Sequence, residues 1–321
     1  MTTIFRIALL AVVVYAVAEA PCAQDEIEII RFQSATFPGN VFTNFMPAVD
    51  EGEPVTVFGI LRMPVRVDRV PAVILTHGCG GITGTEADWA RELKEIGVAT
   101  FLINSFAGRD ITQICTGQPS MNVASALADV YSALALMASD PRIDASRIAL
   151  MGFSFGGRTA LWANHLRFQE RYSRGTSRFA AYLAFYPPCY INLAEEDRIT
   201  DSTARIFHGT ADDWTPIAPC REYVKRLRNA GKDIAMFEYP AARHGFDNRL
   251  SPAYQALPGV ANLGRCAFVE RQGKLVDAIG RPTGFDASCV IREASIGYNA
   301  RAHKQAFTDV QDFLVTHFRL K

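Results

Sequence analysis

Short, uninterrupted apolar runs alternate along this chain with segments of helical period, and that alternation restricts the fold more than any other feature. The runs are 70–76 (VPAVILT), 98–103 (VATFLI), 147–151 (RIALM), 179–185 (FAAYLAF) and 203–207 (TARIF). A strand with one wet face alternates apolar and polar residues, whereas a strand covered on both faces stays apolar throughout. Between the runs lie helical patterns over 86–97, 122–139, 156–168 and 219–231. Strand, helix, strand in this order implies crossover connections and a parallel sheet covered by helices. Segments 26–32 and 55–62 have no helix between them and are expected to open the sheet as an antiparallel pair. Segment 234–239 supplies a last strand, and an amphipathic pattern over 299–318 closes the chain. The fold class is therefore α/β, with a mainly parallel eight-stranded sheet and helices on both faces.

One stretch breaks the rhythm. Residues 248–297 hold Pro252, Pro258, Pro282 and five glycines before Gly297, with no strong period, and read as an insertion before the last helix. A stretch of that length inside a compact domain is expected to be functional or tied down. Cys266 and Cys289 are candidates for the tie, and closing their loop contributes about 3 kcal/mol in a chain-entropy estimate.

Residues 1–23 read as a signal peptide rather than as part of the fold. Arg6 gives a positive start, 7–17 is an apolar run, and small residues follow over 18–23. The run is shorter than the roughly 18 apolar residues a spanning helix needs. Pro21 disfavours cleavage after Ala20 and a lipid-modified Cys22, so the cut is expected near Ala23, leaving a single domain over 24–321. The removed segment carries Arg6, Glu19 and Cys22. The remainder stays electrically neutral and keeps six cysteines: Cys79, Cys115, Cys189, Cys220, Cys266 and Cys289. An even count in an exported chain with no CxxC points to disulfides and a periplasmic or secreted protein. Six cysteines allow fifteen pairings, and we expect the sequential one: 79 with 115, 189 with 220, 266 with 289. Balanced charge, 33 basic against 33 acidic residues, and no run of five basic residues argue against a nucleic-acid partner. With 49% hydrophobic residues the chain is not a disordered polyampholyte, and no membrane segment is expected once the leader is gone.

The chemistry centres on Gly152-Phe153-Ser154-Phe155-Gly156, a G-x-S-x-G pentapeptide. Chance yields such a pentapeptide in about one chain in ten of this length, so the setting decides. The motif directly follows the 147–151 run and opens a small-residue helix, the strand, turn and helix that a nucleophile elbow requires. A serine hydroxyl needs a base and a group that orients the base. In this topology the order is Ser, acid, His. Asp212 lies 58 residues after Ser154 and 32 before His244, and both follow predicted strands. Open α/β sheets hold their sites at strand carboxyl ends. Asp212 is preferred to Asp213 because G-x-x-D-x-x-x-P fits Gly209 to Pro216; Asp213 reads as a solvated loop carboxylate or a helix cap. His208 ends a strand and is expected to be packed, while His165, His303 and His317 are expected on helix surfaces. The oxyanion donors are expected to be the N–H of Phe155 and that of Cys79 or Gly78, with Cys79 preferred. Cys79 itself is expected to be structural, paired with Cys115.

Taken together, THGCGG, GFSFGG, HGTADDWTP and ARHGF resemble the dienelactone hydrolase family of α/β-hydrolases over about residues 55–318. The resemblance implies the α/β-hydrolase fold, the triad Ser154, Asp212 and His244, and action on ester or lactone carbonyls without metal or organic cofactor. Two departures limit it. The namesake enzymes carry a cysteine nucleophile and a nearby glutamate, whereas this chain has Ser154 and, in the glutamate's place, His77. Those enzymes also hold a substrate carboxylate with arginines, for which Arg109 and Arg249 are the candidates here, since the planar guanidinium binds carboxylate through two hydrogen bonds. The expected partner is a small ester or lactone, and the expected assembly a monomer or homodimer. Rival readings are a peptidase of the same fold, for which fewer than about 55 residues precede the first strand pair, and a non-catalytic binding protein that retains the elbow.

Overall fold

The computed structural model describes residues 27–65, 68–116 and 121–320. The signal-peptide reading of 1–23 lies outside them. Eight strands form one sheet: β1 (Ile27–Thr36), β2 (Glu53–Arg62), β3 (Val70–Thr76), β4 (Ala99–Asn104), β5 (Ile143–Phe153), β6 (Ala181–Phe185), β8 (Thr203–Gly209) and β9 (Ile234–Tyr239). Their spatial order is β1-β2-β4-β3-β5-β6-β8-β9. The pairs β1/β2 and β2/β4 are antiparallel and every other neighbour is parallel, as the absence of a helix between the first two strands implies.

Alternation along the buried strands sorts side chains into two cores. Ala72 and Ile74 of β3 and Ile148 and Leu150 of β5 enter one core, which packs under helices α2 (Val123–Ser139), α3 (Phe155–Ala163), α4 (Leu166–Tyr172) and α5 (Ile217–Asn229). Val73, Leu75, Ala149 and Met151 enter the other, beneath α1 (Gly84–Glu95) and α6 (Ala300–Phe318). That is why these strands read as continuous apolar runs: neither face meets water. Three helices start on side-chain caps. Thr83 with Glu86 makes a capping box on α1, and Asn122 and Asn299 cap α2 and α6. The single helical pattern over 156–168 is two helices, because His165 adopts an extended backbone between α3 and α4.

The chain winds outward from β3 to β4, then crosses back over β3 to β5 and continues the other way. Strand order reverses there, and the crevice at the carboxyl ends of β3 and β5 is where sites form in such sheets.

The insertion is more ordered than its sequence suggests. Strands β10 (Gln255–Asn262) and β13 (Ile291–Ile296) pair antiparallel, with an irregular register between Pro258 and Asn262. Strands β11 (Phe268–Arg271) and β12 (Lys274–Asp277) form a hairpin across Gln272 and Gly273, both at positive φ as a tight hairpin turn requires. Strand β11 also pairs in parallel with the two-residue β7 (Ile191–Asn192) of the main body. Strand β10 is interrupted by Pro258 and Gly259, and β11, β12 and β13 run only four to six residues, so no two-residue period builds up. All three disulfides follow the sequential pairing: Cys79–Cys115, Cys189–Cys220 and Cys266–Cys289. No helix among the described residues is long and apolar enough to cross a membrane.

Candidate active site

Ser154 stands between the end of β5 and the first residue of α3 with φ 55° and ψ −110°, a conformation side chains rarely adopt. The backbone around it explains the motif. A Cβ on Gly152 would lie 2.1 Å from the Gly156 carbonyl oxygen, and one on Gly156 would lie 2.3 Å from that of Thr76. Only hydrogen fits at either position. The Ser154 N–H donates to the Phe185 carbonyl on the neighbouring strand, 2.9 Å away, which pins the turn to the sheet.

The hydroxyl of Ser154 lies 2.9 Å from His244 Nε2, and His244 Nδ1 lies 2.8 Å from Asp212 Oδ2. A carboxylate accepts only, so Nδ1 carries the proton and Nε2 is left to accept from Ser154. Asp212 is buried, and both oxygens are engaged. Oδ1 accepts the N–H groups of Trp214 at 2.9 Å and Thr215 at 2.8 Å, while Oδ2 also meets the Thr215 hydroxyl at 2.9 Å. Burial pushes this carboxyl up, but attraction to the His244 ring when that ring is protonated, with hydrogen bonds from His208 and His244, outweighs it and holds it well below the usual carboxylate range. His208 is fully buried, with Nε2 2.7 Å from the Thr215 carbonyl oxygen and 3.5 Å from Asp212, so the Thr215 contact is its principal bond.

Cys79 and Phe155 line the same cavity as Ser154, a space of about 790 Å³ counting its open mouth. Phe155 is the first residue of α3, so its N–H has no acceptor within the helix. The loop carrying Cys79 is braced from behind by His77. Nδ1 of His77 donates to the Gly78 carbonyl at 2.8 Å, and Nε2 accepts the Ser105 N–H at 3.2 Å. Burial lowers the His77 pKa and keeps the ring neutral, which suits a strut rather than a charge. Gly78 passes against the elbow, where an added Cβ would lie 3.5 Å from the Phe153 carbonyl oxygen.

Two expected residues are elsewhere. Arg109 is buried beside α2, where its guanidinium pairs with Asp129 at 2.8 Å and also binds Thr36 and the carbonyls of Ala35 and Ser105. All its reach is spent inside the protein. Arg249 is half-exposed and pairs with Glu92 and, at 3.7 Å, with Asp88, both on α1. Neither lines the cavity. His165 and His303 are buried rather than on helix surfaces. Asp213 is the expected loop carboxylate with a half-exposed side chain, and it also accepts from the Ser295 N–H at 2.8 Å and the Ser295 hydroxyl at 2.6 Å.

The arginine that does line the cavity is Arg158, one turn along α3 from Ser154. Its guanidinium lies 5.1 Å from the Phe155 ring centroid and 5.4 Å from that of Trp162. No carboxylate pairs with it among the described residues, and its buried Nε lacks a hydrogen-bond partner. Burial lowers its pKa. The signal for Arg158 was a lone charge inside the small-residue helix GGRTALWA. Thr215, which touches both Asp212 and His244, sits inside HGTADDWTP, but nothing in its spacing marks it.

With this geometry in hand, the chain can be set beside known proteins. It is 24% identical over 212 residues to a protein of Bradyrhizobium sp. named as a probable 2-oxo-3-(5-oxofuran-2-ylidene)propanoate lactonase, covering 61% of this chain and 82% of that one. It is 24% identical over 211 residues to a protein of Methylorubrum extorquens named as a carboxymethylenebutenolidase, covering 61% and 70%. A crystal structure from Klebsiella pneumoniae described as a dienelactone hydrolase superposes with a TM-score of 0.55 at 16% identity, covering 90% of this chain and 99% of that one, and so shares the fold. Residues 57–318 match the dienelactone hydrolase family, and the chain belongs to that family of ester and lactone hydrolases.

Proposed function

We propose that Ser154, His244 and Asp212 are the nucleophile, base and orienting acid of a serine hydrolase acting on a small carboxylic ester or lactone. The observation that carries the reading is the continuous hydrogen-bonded chain from the Ser154 hydroxyl through both ring nitrogens of His244 to the buried Asp212. As Oγ bonds to the carbonyl carbon, its proton passes to Nε2, and the carbonyl oxygen takes up the electron pair between the N–H groups of Phe155 and Cys79. Collapse expels the alkoxide, which receives the proton from His244; in a lactone the new hydroxyl stays tethered to the acyl group. Water then gives a proton to His244 as its oxygen bonds to the acyl carbon, and collapse breaks the bond to Ser154 Oγ, which takes the proton back from His244. Asp212 keeps the ring in the productive tautomer and favours the transient imidazolium.

The reading also covers substrate charge and location. Arg158, which lines the cavity with no carboxylate paired to it among the described residues, is the residue we assign to an acidic substituent of the substrate. Both curated relatives carry names that denote lactones with an acidic arm. A residue of this type anchors carboxylate with charge-assisted hydrogen bonds. Replacing it, as Arg158→Met, should raise KM for an acidic butenolide by about tenfold relative to a neutral ester. Equal effects on both would remove the assignment. Three disulfides support export through 1–23 to the periplasm or medium.

The deciding experiment compares hydrolysis of p-nitrophenyl acetate by the wild type and by Ser154→Ala. The wild type should turn over and the variant should lose about 10⁴-fold or more in kcat. Equal rates would refute the mechanism.

A further inference from the structure

The strand β13, at the end of the insertion, touches both loops that carry the nucleophile's partners. Ser295 is buried, and its hydroxyl lies 2.6 Å from Asp213 Oδ2 and 2.8 Å from Arg243 Nη1. Asp213 is the residue after Asp212, and Arg243 is the residue before His244. One hydroxyl thus joins the immediate neighbours of the acid and the base: it donates to the carboxylate and accepts from the guanidinium. The Ser295 N–H adds a second bond to Asp213 at 2.8 Å, and Arg243 itself approaches Asp213 at 3.5 Å. The contact continues on both sides. The Gly297 N–H donates to the His244 carbonyl at 3.2 Å, and Ile296 bridges His244 in parallel register. On the paired strand β10, buried Asn262 donates to the carbonyls of Asp213 at 2.9 Å and Glu293 at 3.0 Å, and Trp214 Nε1 donates to the Ala261 carbonyl at 3.0 Å.

We propose that the β10/β13 ribbon is a clamp that fixes the acid-bearing loop against the histidine-bearing loop, with Ser295, Asp213 and Arg243 as positioning residues for the Asp212–His244 pair. The proposal rests on the triad reading above. Its physical basis is the steepness of the required geometry. Proton transfer needs Nε2 within hydrogen-bond reach of Oγ, and small displacements of a base from that position cost rate rather than affinity. Asp212 and His244 sit on separate loops after β8 and β9, which meet through the Ala211 N–H and the Ala242 carbonyl at 2.9 Å. The ribbon adds a second restraint across both loops, through Asp213 and Arg243.

The test uses the full chain and p-nitrophenyl acetate. Ser295→Ala should lower kcat about tenfold with KM within about twofold of wild type, and Ser295→Thr, which keeps the hydroxyl, should recover most of the loss. In a His244→Ala background, Ser295→Ala should cost nothing further, because a residue that acts through the histidine is silent without it. Asp213→Asn, at a half-exposed side chain that tolerates change, should lower kcat about threefold and carries the same test if Ser295→Ala does not fold. Wild-type kcat in folded Ser295→Ala, or a loss that persists undiminished in the His244→Ala background, overturns the clamp alone. Wild-type activity in His244→Ala overturns the triad reading and the clamp with it.

Discussion

Ser154 is held by close packing of its turn against the neighbouring strands β3 and β6, whereas Asp212 and His244 are held by a strand 52 residues beyond Arg243. On the serine side the restraint is steric: two glycines admit backbone oxygens at 2.1 and 2.3 Å from where a Cβ would be, and the strand and helix on either side are buried core elements. On the other side the restraint is a set of hydrogen bonds made by half-buried loops to an insertion that is itself stapled by Cys266–Cys289. The difference teaches where each half of the site is vulnerable. A nucleophile locked by packing fails only with the fold, while partners locked by hydrogen bonds across a ribbon can drift in a protein that remains folded.

The largest break of that contrast is Gly156→Ala. The new methyl meets the Thr76 carbonyl, which belongs to β3 and cannot swing aside, so we expect a loss of about 3 kcal/mol or more in thermal or urea unfolding together with the loss of activity. A variant of wild-type stability would mean the elbow is held otherwise. Next comes the paired change Cys266→Ser and Cys289→Ser, which frees a 23-residue loop. It should cost about 2 to 3 kcal/mol of stability, and, unlike the elbow variant, it should leave a folded protein with reduced kcat at temperatures where wild type and variant are both native. Full kcat would place the insertion outside the catalytic machinery.

The smallest effect concerns Asp247, three residues past His244. Its buried carboxyl accepts from Trp89 Nε1 at 2.8 Å and from the Tyr186 hydroxyl at 2.9 Å, and the Tyr186 ring lies 4.6 Å from that of His244. Burial pushes its pKa up to about 6, against hydrogen bonds from Trp89 and Tyr186 that lower it. The folded state therefore binds this proton more tightly than the unfolded chain. Its stabilising effect is complete below the ordinary carboxylate range and is lost as pH rises through about 6. Asp212, held low, contributes in the opposite sense, with stability lost as pH falls. Asp247→Asn removes only the first titration. The Tm of wild type should fall relative to that of the variant between pH 4 and pH 7, by the equivalent of about 2 kcal/mol. A constant difference would show that Asp247 does not titrate in that window.

What could be read in the sequence follows the same division. The elbow was legible because a run of five consecutive residues, a buried strand before it and small residues after it all state one local geometry. Asp212 and His244 were legible because each directly follows a strand that is apolar enough to recognise. The exposed loop position of Asp213 was legible, but its partner was not, because Ser295 lies 82 residues away on a strand of only six residues. Arg109 was misjudged for a similar reason. Asp129, which neutralises it, sits within an otherwise apolar helix whose pattern gives no hint that a carboxylate points inward. Long-range polar pairing carries no period, and so it left no trace that a single sequence can show.

The position of β13 near the end of the chain has a consequence in time. A growing chain can pin the Ser154 turn once β6 with Phe185 is present, whereas the loops after β8 and β9 gain their contacts with Ser295 only when the strand Ile291–Ile296 is present.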